Sequence, residues 1–341
     1  MKKMLISFAL LLVSPALASD LACGNAIKSQ DVQLTLQKCS TIKFNPGIEA
    51  VVRMVKTLPA PATYAEAFQA YVKVAESGNL QAKTDLYSLY TYGIGTTPDQ
   101  NTGLVHLKQA ADAGFPEAQV RLGEHHNVGS TPDYDLQKAF ALYQKAADQG
   151  NFYAMSKLAR GYNYGFIGEA ANPEKAKQLW IKIAEGNDPI AIYEAAEAAW
   201  RGNFNGTSGI AVAAPFYEKS ANLGYGEAAD RLATRYLVEG QTAKALFWYE
   251  KAASLGNPSG IASVAYLISD SDAKVKKDLP RAFKLYQELA LEGDRDSQFS
   301  LAEFYEKGKG TGKDLKQALF WYKKAADQGS EEAQDALKRL Q

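Results

Sequence analysis

Beyond its first 18 residues, the 341-residue chain has no apolar run near the roughly 20 residues that a membrane-spanning helix needs. It also lacks net charge, since 38 lysines and arginines balance 38 acids. That balance argues against a generic nucleic-acid or membrane-surface binder, because both partners attract strongly basic faces. Histidine is scarce: only His106, His125 and His126. The last two are neighbours, about 100° apart on a helix, so they cannot chelate like an i, i+4 pair, and structural or surface roles suit all three. No G-x-S-x-G, no H-E-x-x-H and no cysteine–histidine pair placed for nucleophilic work occurs. Gly308 to Lys313 looks like a phosphate loop at first, but Lys307 stands where the first glycine belongs and no predicted strand precedes it. It reads as a loop between helices. The sequence thus offers no catalytic residue, no metal site and no cofactor.

The N-terminus does carry a signal. Lys2 and Lys3 precede the apolar run Leu5 to Val13, followed by small residues at Ala16 and Ala18. Residues 1–18 are expected to be a secretory signal peptide cleaved near Ala18, which puts the mature chain in the periplasm or outside the cell. The only cysteines, Cys23 and Cys39, are then expected to form a disulfide. Its loop of about 15 residues is worth roughly 3 kcal/mol in the chain-entropy model. A lipidated Cys23 is the rival, and Asp20 counts against it by standing where an apolar residue is expected. Residues 19–62 read as an N-terminal cap segment, weakly helical over Asp31–Lys38 and Gly47–Leu58 and broken at Pro59 and Pro61.

From residue 63 a unit recurs. Ala146-Ala147-Asp148-Gln149-Gly150 returns unchanged at Ala325–Gly329, and softer copies end at Gly78, Gly114, Asn187, Gly224, Gly256 and Gly293. The successive spacings are 36, 36, 37, 37, 32, 37 and 36 residues, a period that means stacked repeats. Counting back from each anchor, position −3 is alanine, −7 is an aromatic except at Leu107, and −11 is small. These positions share one helical face. Position −15 is Thr63, Asp99, Asp135, Asn172, Gly209, Gln241, Asp278 or Asp314, all but Gln241 preferred N-caps. This is helix B. After the anchor, small residues at +4, leucine at most +8 positions and tyrosine at several +12 positions predict helix A, ended in most units by a glycine such as Gly93, Gly129, Gly165, Gly202 or Gly308. The anchor itself predicts a left-handed helix terminator, which asparagine tolerates at Asn187. Residues 63–341 would hold about seven full helix pairs plus terminal helices.

The segments Ala118-x3-Leu122-Gly123, Ala154-x3-Leu158-Ala159-x2-Tyr162-x2-Gly165 and Lys138-Ala139-x3-Tyr143-x-Lys145-Ala146-Ala147 resemble the Sel-one-like repeat family, a relative of the tetratricopeptide repeats. The resemblance covers about residues 63–341. It implies an all-α, right-handed α-solenoid of antiparallel helix pairs that presents a concave surface to protein partners, as in secreted or envelope-located bacterial adaptors. Some members bridge each helix pair with disulfides and have been described as binding β-lactams, but Cys23 and Cys39 both precede the array.

The functional expectation is a non-enzymatic scaffold whose protein partner meets the face of helix A opposite the buried stripe. Positions +7 and +10 there read Arg121/Glu124, Lys157/Arg160, Glu194/Glu197 and Arg231/Thr234, changing sign while core positions hardly vary. A solvated face would vary too, so both readings stand. A second class is a carbohydrate- or peptidoglycan-associated module in cell-envelope or exopolysaccharide assembly. Its platform would be Trp200 and the glycine- and asparagine-rich loop Arg201–Gly209, since loops often carry function. A hydrolase akin to the β-lactam-binding members is the third. Most of the 19 tyrosines, 14 phenylalanines and 4 tryptophans fall at core positions.

Overall fold

The computed structural model describes residues 23, 26–27, 29, 31–39, 46–57, 63–129, 132–165, 171–203, 206–269 and 274–340. The leader at 1–18, the breaking prolines Pro59 and Pro61, and Phe204-Asn205 after Trp200 lie outside the described residues. All regular structure among the described residues is α-helical. The chain forms two compact units, the first ending at Leu223 and the second beginning at Gly224.

The first unit holds α1 (Val32–Cys39), α2 (Pro46–Val55), α3 (Tyr64–Glu76), α4 (Leu80–Tyr92), α5 (Gln100–Asp112), α6 (Pro116–His126), α7 (Leu136–Asp148), α8 (Phe152–Tyr164), α9 (Pro173–Glu185), α10 (Pro189–Trp200) and α11 (Ile210–Asn222). The second holds α12 (Gly226–Val238), α13 (Thr242–Ser254), α14 (Pro258–Ser269), α15 (Leu279–Glu292), α16 (Arg295–Lys307), α17 (Leu315–Asp327) and α18 (Glu331–Leu340). From α3 onward odd-numbered helices are B and even-numbered helices are A. The expected weak helices of the N-terminal segment correspond to α1 and α2.

Helix B begins where the cap residues stand. The side chains of Asp99, Asp135, Asn172, Asp278 and Asp314 each accept from the amide three residues on, and Thr63 forms a full capping box with Glu66. Gly209 and Gln241 make no side-chain cap bond. Helix A has caps of its own just after the anchor, at Asn79, Asn151, Asp188 and Asp294, with Asn257 and Ser330 accepting in the same way.

The seven anchor glycines all have left-handed backbones, with φ between 77° and 100°. At Gly78, Gly114 and Gly150 nothing lies within 4 Å of where a Cβ would stand, so dihedral strain alone selects glycine. Two sequence expectations need correction here. The turn at Asn187 is not a copy of the others: Gly186 before it is extended (φ −69°, ψ −171°), whereas Gln149 at the same place sits at φ −84°, ψ 5°. The Phe152 ring packs on Gly186, only 2.6 Å from a notional Cβ, which reshapes the turn. Nor does Gly129 end helix A, since α6 stops at His126 with Asn127 as its cap and Gly129 is not left-handed.

The core follows the alanines. Positions −11 and +4 are buried in every unit, and every −7 ring is buried, with Trp180 and Tyr217 almost wholly enclosed. In the five units where −4 is also small it lies deeper than −3: Ala110, Ala146, Ser220, Ala252 and Ala325 are fully buried, while Ala253 and Ala326 are only half-buried; at Val74, Ile183 and Leu289 the −4 side chain is large. Phenylalanine at −10 meets tyrosine at +12 edge-to-face in three units, as Phe68–Tyr90, Phe140–Tyr162 and Phe283–Tyr305, with centroids 5.1, 5.4 and 5.2 Å apart.

The repeated pentapeptide has a second cause besides its glycine. Gln149 Nε2 donates to Gln119 Oε1 at 2.9 Å, and Gln119 Nε2 donates to the Ala111 carbonyl. The same relay runs from Gln328 through Gln298 to Ala290. Each clasps the end of one helix B, the next helix A and the next helix B. Elsewhere the pair is missing: the middle residue is apolar at Met155, Ile192, Ala229 and Ile261 and is Lys83 in the first repeat, and no glutamine stands before the next anchor.

The N-terminal segment is tied down by a disulfide and an ion pair. Cys23 and Cys39 are bonded and fully buried. Arg53 on α2 grips the wholly buried Asp85 on α4 with two hydrogen bonds of 2.6 and 2.7 Å, and Asp85 also accepts from the Tyr71 hydroxyl and Gln81. Burial lowers the Arg53 pKa, but Asp85 outweighs it and raises the value above its ordinary one, while burial and the same carboxylate push Tyr71 up.

Gly150→Ala is therefore expected to cost about 1 kcal/mol in urea unfolding of the full chain, and Gly150→Asn less, because asparagine tolerates the left-handed region. Equal losses would mean that space, not dihedral strain, selects the glycine. Asp85→Ala, which leaves Arg53 only Glu49 at 3.2 Å, is expected to cost on the order of 3 kcal/mol. Amide exchange should then quicken first in α1 and α2, and unchanged protection there would show that the pair does not hold the segment.

The face carried by the A helices

In the first unit the A helices follow one another in register, and their +7 and +10 residues lie at the seams between neighbours. Arg121 Nη1 on α6 donates to Ser88 Oγ on α4 at 3.1 Å, while its Nε stands 3.7 Å from Glu117. Glu124 on α6 receives Lys157 Nζ at 3.1 Å and the Tyr153 hydroxyl at 3.0 Å, both from α8. Arg160 on α8 reaches Glu194 on α10 at 3.4 Å. The +10 residue of one unit thus pairs with the +7 residue of the next. The sign changes that looked like surface variation are matched changes across these seams.

Electrostatics follow from this placement. Burial opposes the Lys157 ammonium, yet Glu124 and Tyr153 outweigh it and hold its pKa above the ordinary lysine value. The ammonium also lies 4.5 Å from the centre of the Tyr153 ring. Burial, then Glu124, push the Tyr153 phenol up to about 12.

Glu197 corrects the expectation of a uniformly solvent-facing row. It is only 7% exposed, accepting from the Tyr217 hydroxyl at 2.5 Å and from Arg201 at 2.9 Å. The B-helix tyrosine below it is long enough to reach the A-helix carboxylate, which draws that side chain inward. Arg160, with its side chain 52% exposed, is the most open of the first-unit +7 and +10 residues, and Glu194 is half-buried.

In the second unit Arg231 pairs with Glu227 at 3.4 Å, and Thr234 Oγ1 contacts the Asp230 carbonyl and the Tyr249 hydroxyl. Asp230 between them is pushed up to about 6 by burial and then by Glu227, with Arg231 opposing.

Trp200 ends α10 half-buried, and its carbonyl accepts the Gly209 amide that closes the loop. Of that loop, Asn203 donates to the Tyr164 hydroxyl at 3.2 Å. The histidines serve local packing. His125 Nδ1 meets the Tyr87 hydroxyl at 3.1 Å, His126 Nδ1 meets the Asp133 carbonyl at 2.7 Å, and His106 stacks on Tyr90. Burial lowers the pKa of His125 and His106, which favours the neutral ring. Among the described residues no group of three or more His, Cys, Asp or Glu is placed to hold a metal ion, and no helix is long and apolar enough to cross a membrane.

Sequence reasoning missed Ser88 and Tyr153 as members of this face, and Tyr164, which is 54% exposed at the end of α8. A signal for the seams was present, since their partners are separated by one repeat less three residues. The groups on this face are guanidinium, ammonium, carboxylate and phenol held in fixed pairs, chemistry suited to recognition.

Comparison with known proteins agrees with this architecture. A family model described as Sel1 repeat matches residues 88–115, 116–151, 152–188, 227–257, 258–294 and 295–330. The unmatched 189–226 contains α11, where Pro215 sits inside a helix and Gly209 opens it without a side-chain cap. The chain is 25% identical over 283 residues to the chitin synthase regulator SKT5 of Saccharomyces cerevisiae, covering 80% of this chain and 36% of that protein. It is 27% identical over 245 residues to chitin synthase regulatory factor 3 of Schizosaccharomyces pombe, covering 67% and 26% respectively. The chain therefore spans only about a quarter to a third of these curated relatives. Among solved structures, a Sel1 repeat protein from Oxalobacter formigenes is similar with a TM-score of 0.54 and 25% identity, covering 98% of this chain and 93% of that one. With more than half of its residues matched by the family model, this chain belongs to the Sel1 repeat family.

Proposed function

We propose that the chain is a non-enzymatic protein-interaction scaffold that captures a protein partner on the A-helix face of its first unit. The observation that carries this reading is the row of seam pairs from Ser88–Arg121 to Arg160–Glu194, which fixes a charged surface that differs from repeat to repeat on an otherwise uniform framework. Membership in a family of repeat scaffolds supports it. Work in the periplasm or outside the cell is part of the proposal, supported by the leader-like N-terminus and by the Cys23–Cys39 disulfide, which suits an oxidising compartment. The regulator names of the fungal relatives suit a partner that is itself an enzyme of envelope assembly. Direct glycan stacking on Trp200 is less well supported, because that ring is half-buried.

A charge swap separates recognition from stability. Arg160→Glu combined with Glu194→Arg preserves an opposite pair at the α8–α10 seam but reverses its field. A photo-cross-linking residue at Tyr164 should capture a discrete partner in intact cells, and the swap should abolish that adduct while leaving helical content and thermal unfolding unchanged. An adduct that survives the swap, or that forms equally from the outer-face position Lys182, would sink the assignment.

A further inference from the structure

The exposed large apolar side chains of the first unit are not scattered evenly. Val105 and Ile181 stand on B helices and Leu223 in a turn, whereas Val128, Tyr134 and Tyr164 stand where A helices end. Tyr164 is the last residue of α8 and is 54% exposed, and the half-buried Tyr92 ends α4 at the same +14 position. Between them α6 stops early at His126, so Val128 takes the +14 position beyond the helix. The Tyr134 ring comes within 4.0 Å of where a Gly129 Cβ would stand, which sets it beside Val128. Three consecutive A helices thus each carry a rung: Tyr92, then Val128 with Tyr134, then Tyr164. On α10, the next A helix, position +14 is Arg201, paired with Glu197 at 2.9 Å.

The seams set the spacing of these rungs. Bonds of 3.1 Å join α4 to α6 through Ser88 and Arg121, and α6 to α8 through Glu124 and Lys157. Helices in such contact have axes about 8–10 Å apart, so equivalent positions recur at about that interval. A polyproline II chain advances about 9 Å in each three-residue turn, so a single side of it meets every rung. A strand presents one side about every 7 Å and falls out of step by the second rung. An α-helix needs two turns, about 11 Å, for each rung. The acids described at this edge are engaged: Asp99 and Asp135 cap α5 and α7, and Asp133 stands 3.6 Å from Lys108. Burial and then the Tyr87 phenol raise the pKa of Tyr92, with Arg121 opposing, so this phenol stays protonated as a donor.

We infer that this row docks a proline-rich segment of the protein partner in the polyproline II conformation, one turn to each A helix. The inference rests on the scaffold reading of the same face and gives its partner a chemistry. Phenol rings offer flat apolar area to pyrrolidine rings, and their hydroxyls can donate to the carbonyls that polyproline II leaves without internal bonds. Such a segment is extended before it binds, so little ordering entropy opposes its docking along rungs that the packed helices already hold in place.

The test uses the full chain and fluorescein-labelled oligoprolines, read by fluorescence anisotropy. Tetraproline reaches two rungs and heptaproline three, so binding should strengthen by about tenfold or more between them, and by under about fivefold from heptaproline to decaproline. It should change little with salt, unlike capture by charge. The double variant Tyr134→Ala, Tyr164→Ala should unfold like wild type and lose the gain from tetraproline to heptaproline. The control Val105→Ala, Ile181→Ala on the B helices should keep that gain. A gain that survives the double variant, a gain lost equally in the control, or no saturable decaproline binding by wild type would each overturn the inference. So would binding as tight as that of decaproline by a (Gly-Ser)5 peptide, a leucine-heptad helix or cellohexaose, since the row would then belong to another occupant. Failure of decaproline to bind, while a photo-cross-linker at Tyr164 still yields an adduct in cells that the Arg160–Glu194 swap removes, would refute this inference and leave the scaffold reading intact. Decaproline binding with no adduct from Tyr164 would refute the scaffold reading and leave the specificity of the row in place.

Discussion

The close approach of helices A and B is the constraint on which the rest depends. It requires that −11 and +4 be residues with almost no side chain, so that backbones come together and the −7 ring fills what remains. Gly260 shows how tight this is, since a Cβ there would stand 2.6 Å from that of Ala252. Between backbones that close, the rings at −7 reach toward an A helix, the following one for Tyr71 and the preceding one for Tyr217 and Tyr322. Their hydroxyls emerge beneath helix A, where Tyr71 meets Asp85, Tyr217 meets Glu197 and Tyr322 meets Glu306. Core packing and the polar pattern of the A-helix face are therefore one arrangement.

This coupling explains why a face expected to be free surface is only partly so. A charged side chain at +10 has three claimants: the tyrosine of a neighbouring B helix, the opposite charge at +7 of the next unit, and solvent. Where the tyrosine wins, as at Glu197, the residue joins the core. Where the neighbouring unit wins, as at Glu124, the residue becomes a seam. Only where both are weak, as around Arg160, does the side chain keep much of its exposure. Exposed pairs contribute little to stability, so their value lies in holding a fixed pattern of charge.

Much of the repeat was legible because its period multiplied every local signal. Caps at −15, rings at −7 and left-handed glycines at the anchor each recur, and a pattern repeated that often needs no alignment to be seen. What escaped were relations across units. The Ser88–Arg121 and Glu124–Lys157 seams join residues 33 positions apart, a spacing that appears only when helix A is compared with the next helix A. The glutamine relay was hidden for the same reason: Gln149 looked like part of a motif, while its partner Gln119 lay in a helix read for its apolar stripe. Gly129 and Asn187 misled in the opposite direction, because residue type licensed a conformation that packing then decided otherwise.

The anchor turns have a further consequence. They project into open space and make the same exit from helix B in most units, so chain can be cut and rejoined there without disturbing a packed side chain. A segment running from one anchor to the next is a self-similar cassette of about 36 residues, and its removal brings together two ends that already fit. The length of such a protein is thus quantised. The length of the array can change by whole cassettes, while the chemistry of each seam is set by whichever two cassettes happen to become neighbours.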